Sequence, residues 1–317
     1  MNIAIITGAA GQDGSYLSEY LLSLHYKVIG IVRRSSTHNY YRLKHCLNHP
    51  NFILEEGDVT DFGYMLNIVQ KYKPDELYNL AAQSHVYTSF FQPSLTWQSV
   101  ASGAQICLEV IRLVSPKTKF YQASSSEMFG DSYEIVNEQR GQRETTRFNP
   151  QSPYAIAKLA AHHCTELYRN SYGLFACSGI IFNHESPRRG DNFVTKKITN
   201  YLCSDMKTYL ELGNIEAYRD WSHAADFVRA MHLMLQQDKP NTYALGSGTT
   251  HTVKDFLRIA FDMKKLDWTK YVIINDSLKR PSEVPYLCCL STKIQDELGW
   301  KPKYTFTTLV EDMLYGG

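Results

Sequence analysis

Through the first 182 residues, short apolar runs alternate with helix-length amphipathic stretches, and that alternation constrains the fold more than anything else in the chain. Residues 2–7, 27–32, 51–55, 76–81, 119–123 and 175–182 read as buried strands. Between them, 14–25, 61–72, 95–114 and 153–172 read as helices. Ser152 suits the cap of the last helix, Pro153 its first turn and Gly173 its stop. A chain of this pattern pairs its strands in parallel and lays helices on both faces, a doubly wound α/β sheet.

Beyond residue 183 the pattern loosens. Residues 192–206, 222–235, 252–263 and 307–314 look helical, and 208–212, 243–245 and 271–274 strand-like. A Thr-x-x-Asp cap opens the stretch at Thr252. The expected division is a first domain over 1–182, with 215–247 packing back on it. A smaller mixed α/β C-terminal lobe then comes from 183–214 and 248–317. Formal net charge is +1, so no global field favours nucleic acid or a membrane surface. No apolar run approaches the ~20 residues of a membrane span. The amino terminus lacks the basic stretch and length of a secretory signal. The seven cysteines are odd in number and contain no C-x-x-C, which suggests reduced thiols, a cytoplasmic protein and no metal site.

Thr7-Gly8-Ala9-Ala10-Gly11-Gln12-Asp13-Gly14 follows the first strand and opens the first helix. Glycines at 8, 11 and 14 allow a tight turn and close approach to a pyrophosphate, and the helix start adds free N–H groups and a positive dipole end. In this strand–turn–helix context the motif predicts a dinucleotide site on a Rossmann sheet. The plain alternative is a glycine-rich turn. An NAD site would carry an acidic residue about twenty positions on. This chain has Arg33, Arg34 and Ser35 there, which suit the extra phosphate of NADP; the alternative is an exposed basic edge. Asp58 could bond the adenine amine beside Val59, and Leu80, Ala81 and Ala82 would let a cofactor lie close, although each could be simple packing.

Tyr154 and Lys158 lie four apart, so they emerge from one face of the 153–172 helix. A free phenol ionises near pKa ~10, and a nearby ammonium favours the phenolate. The pair is a candidate proton acceptor for an alcohol under oxidation, although such pairs also arise by chance. Ser125, Ser126 and Glu127 end the fifth strand, where an open α/β sheet presents its ligand crevice. A hydroxyl there can bond a sugar oxygen, and a carboxylate can remove a proton beside a new ketone. A polar turn and a solvated loop residue are the alternatives.

The glycine motif, the Ser-x-Glu segment and the Tyr-x-x-x-Lys helix together resemble the extended short-chain dehydrogenase/reductases. Val-Arg-Arg-Ser-Ser, Ala-Ala-Gln-Ser-His-Val, Asn-His-Glu-Ser-Pro-Arg-Arg-Gly, Arg-Asp-Trp and Arg-Pro-Ser-Glu-Val resemble, more narrowly, the GDP-mannose 4,6-dehydratase family. The resemblance covers nearly the whole chain.

It implies a redox-neutral lyase. Tyr154, assisted by Lys158 and Ser125, would take the C4 hydroxyl proton while hydride passes to NADP. Glu127 would remove the acidified C5 proton and help the C6 hydroxyl leave; hydride would return to C6 and a proton to C5. The resemblance also puts Ser84, His184 and Arg189 on the cofactor side, although His184, like His85 and His223, reads by itself as packing or capping. On the substrate side it implies Ser84, Ser125, Ser126, Glu127, Asn183, Arg188, Asn192, Lys197, Gly213, Arg219, Arg280 and Glu283. Glu185 would orient the neighbouring loop. The bland alternative makes Arg188 and Arg189 surface charges and lets Asp220 pair with Arg219.

Ser125 stands where the family has threonine, Phe129 where it has tyrosine, and residues 285–290 depart from its pattern. In the family the loop over 34–41 reaches a neighbouring subunit in a tetramer, but 37–41 also depart here, so a dimer is the fallback. The helices 95–114 and 153–172 would fit a four-helix dimer seam. A dehydratase of another GDP-sugar such as a GDP-heptose, a 4-epimerase or reductase, and a non-enzymatic NADP-binding protein remain alternatives. Glu127 argues against the epimerase, which needs no base at C5.

Overall fold

The structure is a computed structural model that describes residues 1–37, 40–279 and 281–316. Seven parallel strands form the central sheet, in the order Thr242–Leu245, Ala176–Ile181, Lys119–Ser125, Glu76–Asn79, Ile3–Thr7, Lys27–Val32 and Phe52–Glu56. Helices Gln12–Ser23 and Ala224–Leu235 cover one face over a core that includes Leu17, Leu21, Phe227 and Met231. Phe62–Tyr72, Gly103–Val114 and Pro153–Tyr172 cover the other, over Ile5, Met65, Leu108 and Phe120. Strands buried on both faces explain the continuous apolar runs of the sequence.

Element ends follow local hydrogen bonding. The strand expected over 76–81 stops at Asn79 because the buried Thr7 hydroxyl takes the Leu80 and Ala81 N–H groups, each at 3.1 Å. That bend turns Ala81 and Ala82 toward the cleft. The first helix starts at Gln12, two residues before the third glycine of the motif. The helix expected over 95–114 begins at Pro93 and contains a π turn over Gln98–Ser102. There the Ser99 hydroxyl bonds back to the Leu95 carbonyl at 2.9 Å, and such back-bonding competes with the regular ladder. The fourth helix has the expected ends: the Ser152 hydroxyl accepts from the Ala155 N–H at 3.1 Å, and Gly173 turns left-handed at φ +68°.

The C-terminal lobe has its own core. Helices Val194–Leu202, Val253–Met263 and Phe306–Tyr315 bury Ile198, Phe256, Phe261 and Leu309 together. The Thr252–Asp255 capping box forms as its spacing indicates. A hairpin of Glu134–Val136 and Gln139–Gly141 was not expected from sequence. Its turn puts Asn137 and Glu138 at φ +49° and +66°, without the glycine that usually announces such a turn. No helix among the described residues is long and apolar enough to cross a membrane.

Candidate active site

The glycine turn has the geometry its motif implies. Gly8 sits at φ +69°, and a Cβ there would come within 3.0 Å of Ala81 backbone. A Cβ on Gly14 would run into the Gly8 carbonyl oxygen. The Gly11 N–H closes the turn on the Gly8 carbonyl at 2.9 Å. The following helix opens into a cleft of about 520 Å³ at the carboxyl ends of the strands. Its walls bring together Gly8, Gly11, Gln12, Asp13, Gly14, Arg33, Ser35, Leu80, Ala81, Ala82 and Ser84. Ser125, Ser126, Glu127, Tyr154, Lys158, Asn183, His184 and Arg189 complete them.

Three expected cofactor residues lie outside these walls. Arg34 is exposed beyond the strand end. Asp58 spends its carboxylate on Thr60, taking the backbone N–H at 2.9 Å and the hydroxyl at 2.8 Å. Val59 is buried in the core, against the position a Cβ of Gly103 would take. Thr37, Tyr40, Phe182 and Phe193 join the walls without having been singled out from sequence. Phe182 and Phe193 lie within or beside family motifs and Thr37 and Tyr40 in the loop after the second strand, but only the chain path shows that they face the cleft.

Strand and helix position the residues expected to react. The Ser125 hydroxyl ends the fifth strand, lies beside the Tyr154 phenol and accepts the Glu127 N–H at 3.2 Å. Lys158 is buried; its ammonium donates to the Ala123 carbonyl at 2.7 Å and stands 5.8 Å from the Tyr154 ring centre. Burial lowers the Lys158 pKa to about 8, against the pull of Asp13. Burial also pushes the Tyr154 phenol up, with Ser125 acting against it and Glu127 adding to it. The sequence-based expectation that the lysine makes the phenol acidic is therefore corrected. The ammonium is engaged by a backbone carbonyl, and desolvation dominates at the phenol.

Asp13 and His184 form a partly buried pair at 2.8 Å in the cleft wall. The other ring nitrogen of His184 faces the Phe182 carbonyl at 2.9 Å. With acceptors on both sides, the ring is held as an imidazolium. Burial alone would lower the His184 pKa, but Asp13 outweighs it and the value lies above the ordinary 6.5. Burial alone would raise Asp13, but His184 and Gln12 hold it below the ordinary 3.8. Gln12 adds bonds to the His184 carbonyl at 3.1 Å and from the Ser186 hydroxyl at 2.8 Å. His184 thus has a defined electrostatic role beyond packing.

A second cleft of about 250 Å³ adjoins the first and shares Asn183, Arg189 and Phe193 with it. Asn192, Lys197, Gly213, Arg219 and Glu283 line it, as do Glu211, Asn214 and Trp221. Arg189 lies over the Phe193 ring at 3.6 Å and pairs with Glu185 at 3.0 Å. Glu185 also takes the Thr195 hydroxyl at 2.5 Å, so it holds both ends of the 186–194 loop. Arg219 pairs with Glu283 at 2.7 Å, and Asp220 does not pair with it. Arg188 lines neither cleft: it bonds Ser15 at 3.1 Å and Glu19 at 2.8 Å and lies over the Tyr16 ring. Arg280 lies outside the described residues.

Phe129 and residues 287–289 among the departing positions are packed into the fold. Phe129 is buried and stacks on Phe148 at 5.2 Å, an apolar niche with no need of a tyrosine hydroxyl. Leu287, Cys288 and Cys289 are buried, and the Cys288 N–H bonds the Gln142 side chain at 2.9 Å. All seven cysteines are free thiols. Among the described residues no group of three or more His, Cys, Asp or Glu is placed to hold a metal ion.

Known proteins resemble the chain throughout. It is 48% identical to a GDP-mannose 4,6 dehydratase of Arabidopsis thaliana over 325 residues, covering 98% of this chain and 88% of that protein. It is 42% identical to the human GDP-mannose 4,6 dehydratase over 342 residues, covering 99% and 91%. Its fold is similar to that of a dTDP-glucose 4,6-dehydratase from Streptomyces venezuelae, with TM-score 0.87, 23% identity and 98% and 96% coverage. A UDP-glucose 4-epimerase from Thermotoga maritima has TM-score 0.86 at 23% identity, covering 98% and 97%. The family model for GDP-mannose 4,6 dehydratase matches residues 5–313, and the chain belongs to that family.

Proposed function

We propose that this chain is an NADP-dependent lyase that converts GDP-mannose to GDP-4-keto-6-deoxymannose. One observation carries the reading: Ser125, Glu127, Tyr154 and Lys158 converge on the cleft that the Gly8–Gly14 turn opens. The turn fits a dinucleotide, because the backbone at Gly8 and Gly14 leaves no room for a Cβ and Ala81 and Ala82 keep the wall low. A nicotinamide bound there supplies the hydride acceptor for C4 and the donor for C6. Arg33 at the mouth favours the 2′-phosphate of NADP over NAD.

Tyr154 would take the C4 hydroxyl proton as a phenolate: burial raises its pKa in the cofactor-free site, and the positive nicotinamide ring of a bound oxidised cofactor, with Ser125 alongside, would favour the ionised form. Lys158 ties the helix to the fifth strand and supplies positive charge beside the site. Glu127 would remove the C5 proton and pass it to the departing C6 hydroxyl, which leaves as water; as hydride returns to C6, the proton taken from the C4 hydroxyl would return to C5, so the net change is loss of one water. The second cleft would hold the nucleotide diphosphate with Lys197 and Arg219, assisted by Asn183, Asn192 and Glu283. Arg189, at the junction of the clefts, reaches toward both ligands.

We further propose a cytoplasmic homo-oligomer. Leu95, Trp97, Leu113, Ile156, Leu167 and Tyr172 are exposed on the two helical segments that would make a four-helix dimer seam. A tetramer would add the loop after the second strand.

Incubation with GDP-mannose should yield a 4-keto-6-deoxy sugar still attached to GDP, read by mass loss of one water. Inversion at C4 with no loss of water would overturn the lyase in favour of an epimerase. Faster turnover of a GDP-heptose would move the substrate assignment within the same reaction.

A further inference from the structure

Asp220 is completely buried, lines neither cleft, and has no part in the proposed chemistry. Its carboxylate accepts four hydrogen bonds. They come from the Ser247 N–H at 2.8 Å, the Ser247 hydroxyl at 2.6 Å, the Gly248 N–H at 2.9 Å and the Cys289 N–H at 3.0 Å. These donors belong to two chain segments far apart in sequence, so one side chain joins three pieces of backbone. Gly246 is shaped by the same knot: a Cβ there would lie 2.7 Å from the Asp220 Oδ2 and would strike the Cys289 side chain.

The neighbours of Asp220 face the other way. Successive side chains of extended backbone alternate sides, and Arg219 and Trp221 both line the second cleft. Trp221 begins the strand Trp221–His223, which pairs in parallel with Asn183–Glu185. Cys289 ends the segment that follows Glu283, the ion-pair partner of Arg219 at 2.7 Å. Backbone bonds from Tyr218 to Pro285 at 3.0 Å and from Leu287 to Tyr218 at 3.2 Å keep those two segments side by side.

We propose that Asp220 is a positioning residue for the nucleotide-sugar cleft, fixing from behind the two chain segments that present Arg219 and Glu283. The inference rests on the reading of that cleft as the substrate's diphosphate site. An ionised carboxylate can accept from all four donors at once, whereas an asparagine offers one acceptor oxygen and turns an N–H₂ toward N–H groups. Asp220→Asn would therefore free the Ser247–Gly248 turn or the segment at Cys289, and Arg219 would lose its fixed direction.

The test is steady-state kinetics of the full chain with GDP-mannose, for Asp220→Asn, Arg219→Lys and the double variant, alongside cofactor affinity. Asp220→Asn should raise KM about tenfold with kcat within roughly twofold and cofactor affinity unchanged. On the Arg219→Lys background the same change should add less than about twofold, because the two residues act as one unit. Full multiplicative effects, or a fall in kcat at constant KM, would overturn the positioning role. An Arg219→Lys variant with wild-type KM would overturn the reading of the cleft itself, and the inference with it. Should Asp220→Asn fail to fold, Ser247→Ala removes a single donor; it should raise KM about two- to threefold at constant kcat, and an unchanged KM would refute the proposal.

Discussion

Lys158 donates to the carbonyl of Ala123 at 2.7 Å, and its ammonium is buried against the end of the strand Lys119–Ser125. Burial brings its pKa to about 8 from the ordinary 10.5. Between those values the unfolded chain holds a proton that the folded chain has released, so stability rises with pH there. At pH 7 the buried charge costs on the order of 3 kcal/mol. Comparing cofactor-free wild type with Lys158→Met by denaturant unfolding, the difference should move in favour of wild type by about 2 kcal/mol between about pH 7 and about pH 10. A difference independent of pH would mean that the ammonium is not desolvated.

Tyr154→Phe should abolish the first oxidation, lowering kcat by about a thousandfold while the protein still folds. Glu127→Gln should permit that oxidation and stall elimination. The near-ultraviolet absorbance of reduced nicotinamide would then build up on the enzyme with GDP-mannose present. Wild-type turnover by either variant would reassign both roles.

The Asp13–His184 pair predicts a pH window for stability. His184 is raised above 6.5, so its contribution is complete below that value and is lost as pH rises through the folded pKa. Asp13 is lowered below 3.8, so its contribution is complete above that value and is lost as pH falls through the folded pKa. The gap in unfolding midpoint between wild type and His184→Gln should be widest between about pH 4 and about pH 6.5 and narrow toward about pH 9. A gap that stays constant over that range would refute an imidazolium in the cleft wall.

Arg33 is exposed yet lines the cleft mouth, where a 2′-phosphate could meet its guanidinium. Arg33→Glu should weaken NADP binding by about tenfold or more and leave NAD binding nearly unchanged, as read by cofactor titration. Equal effects on the two cofactors would make Arg33 a plain basic edge.

The exposed loop and the buried interior differed in how readable they were. The glycine turn was legible because a turn this tight right after a strand leaves no room for a Cβ at 8 and 14, so glycines at that spacing announce it. The fourth helix was legible from Ser152, Pro153 and Gly173, since capping depends on neighbours in sequence. The hairpin at 134–141 was not, because Asn137 and Glu138 adopt left-handed backbone that neither residue announces.

Sequence alone determined the alternating α/β framework and the Tyr154–Lys158 spacing, because periodicity and capping are local properties of the chain. Tertiary structure alone decided where each charge is spent. Arg188 turns to Glu19 while Arg189 enters both clefts. Asp220 takes four distant donors, leaving Arg219 to Glu283. Partners of a buried charge are chosen by which donors the folded chain brings within about 3 Å, and desolvation then makes that choice costly to undo.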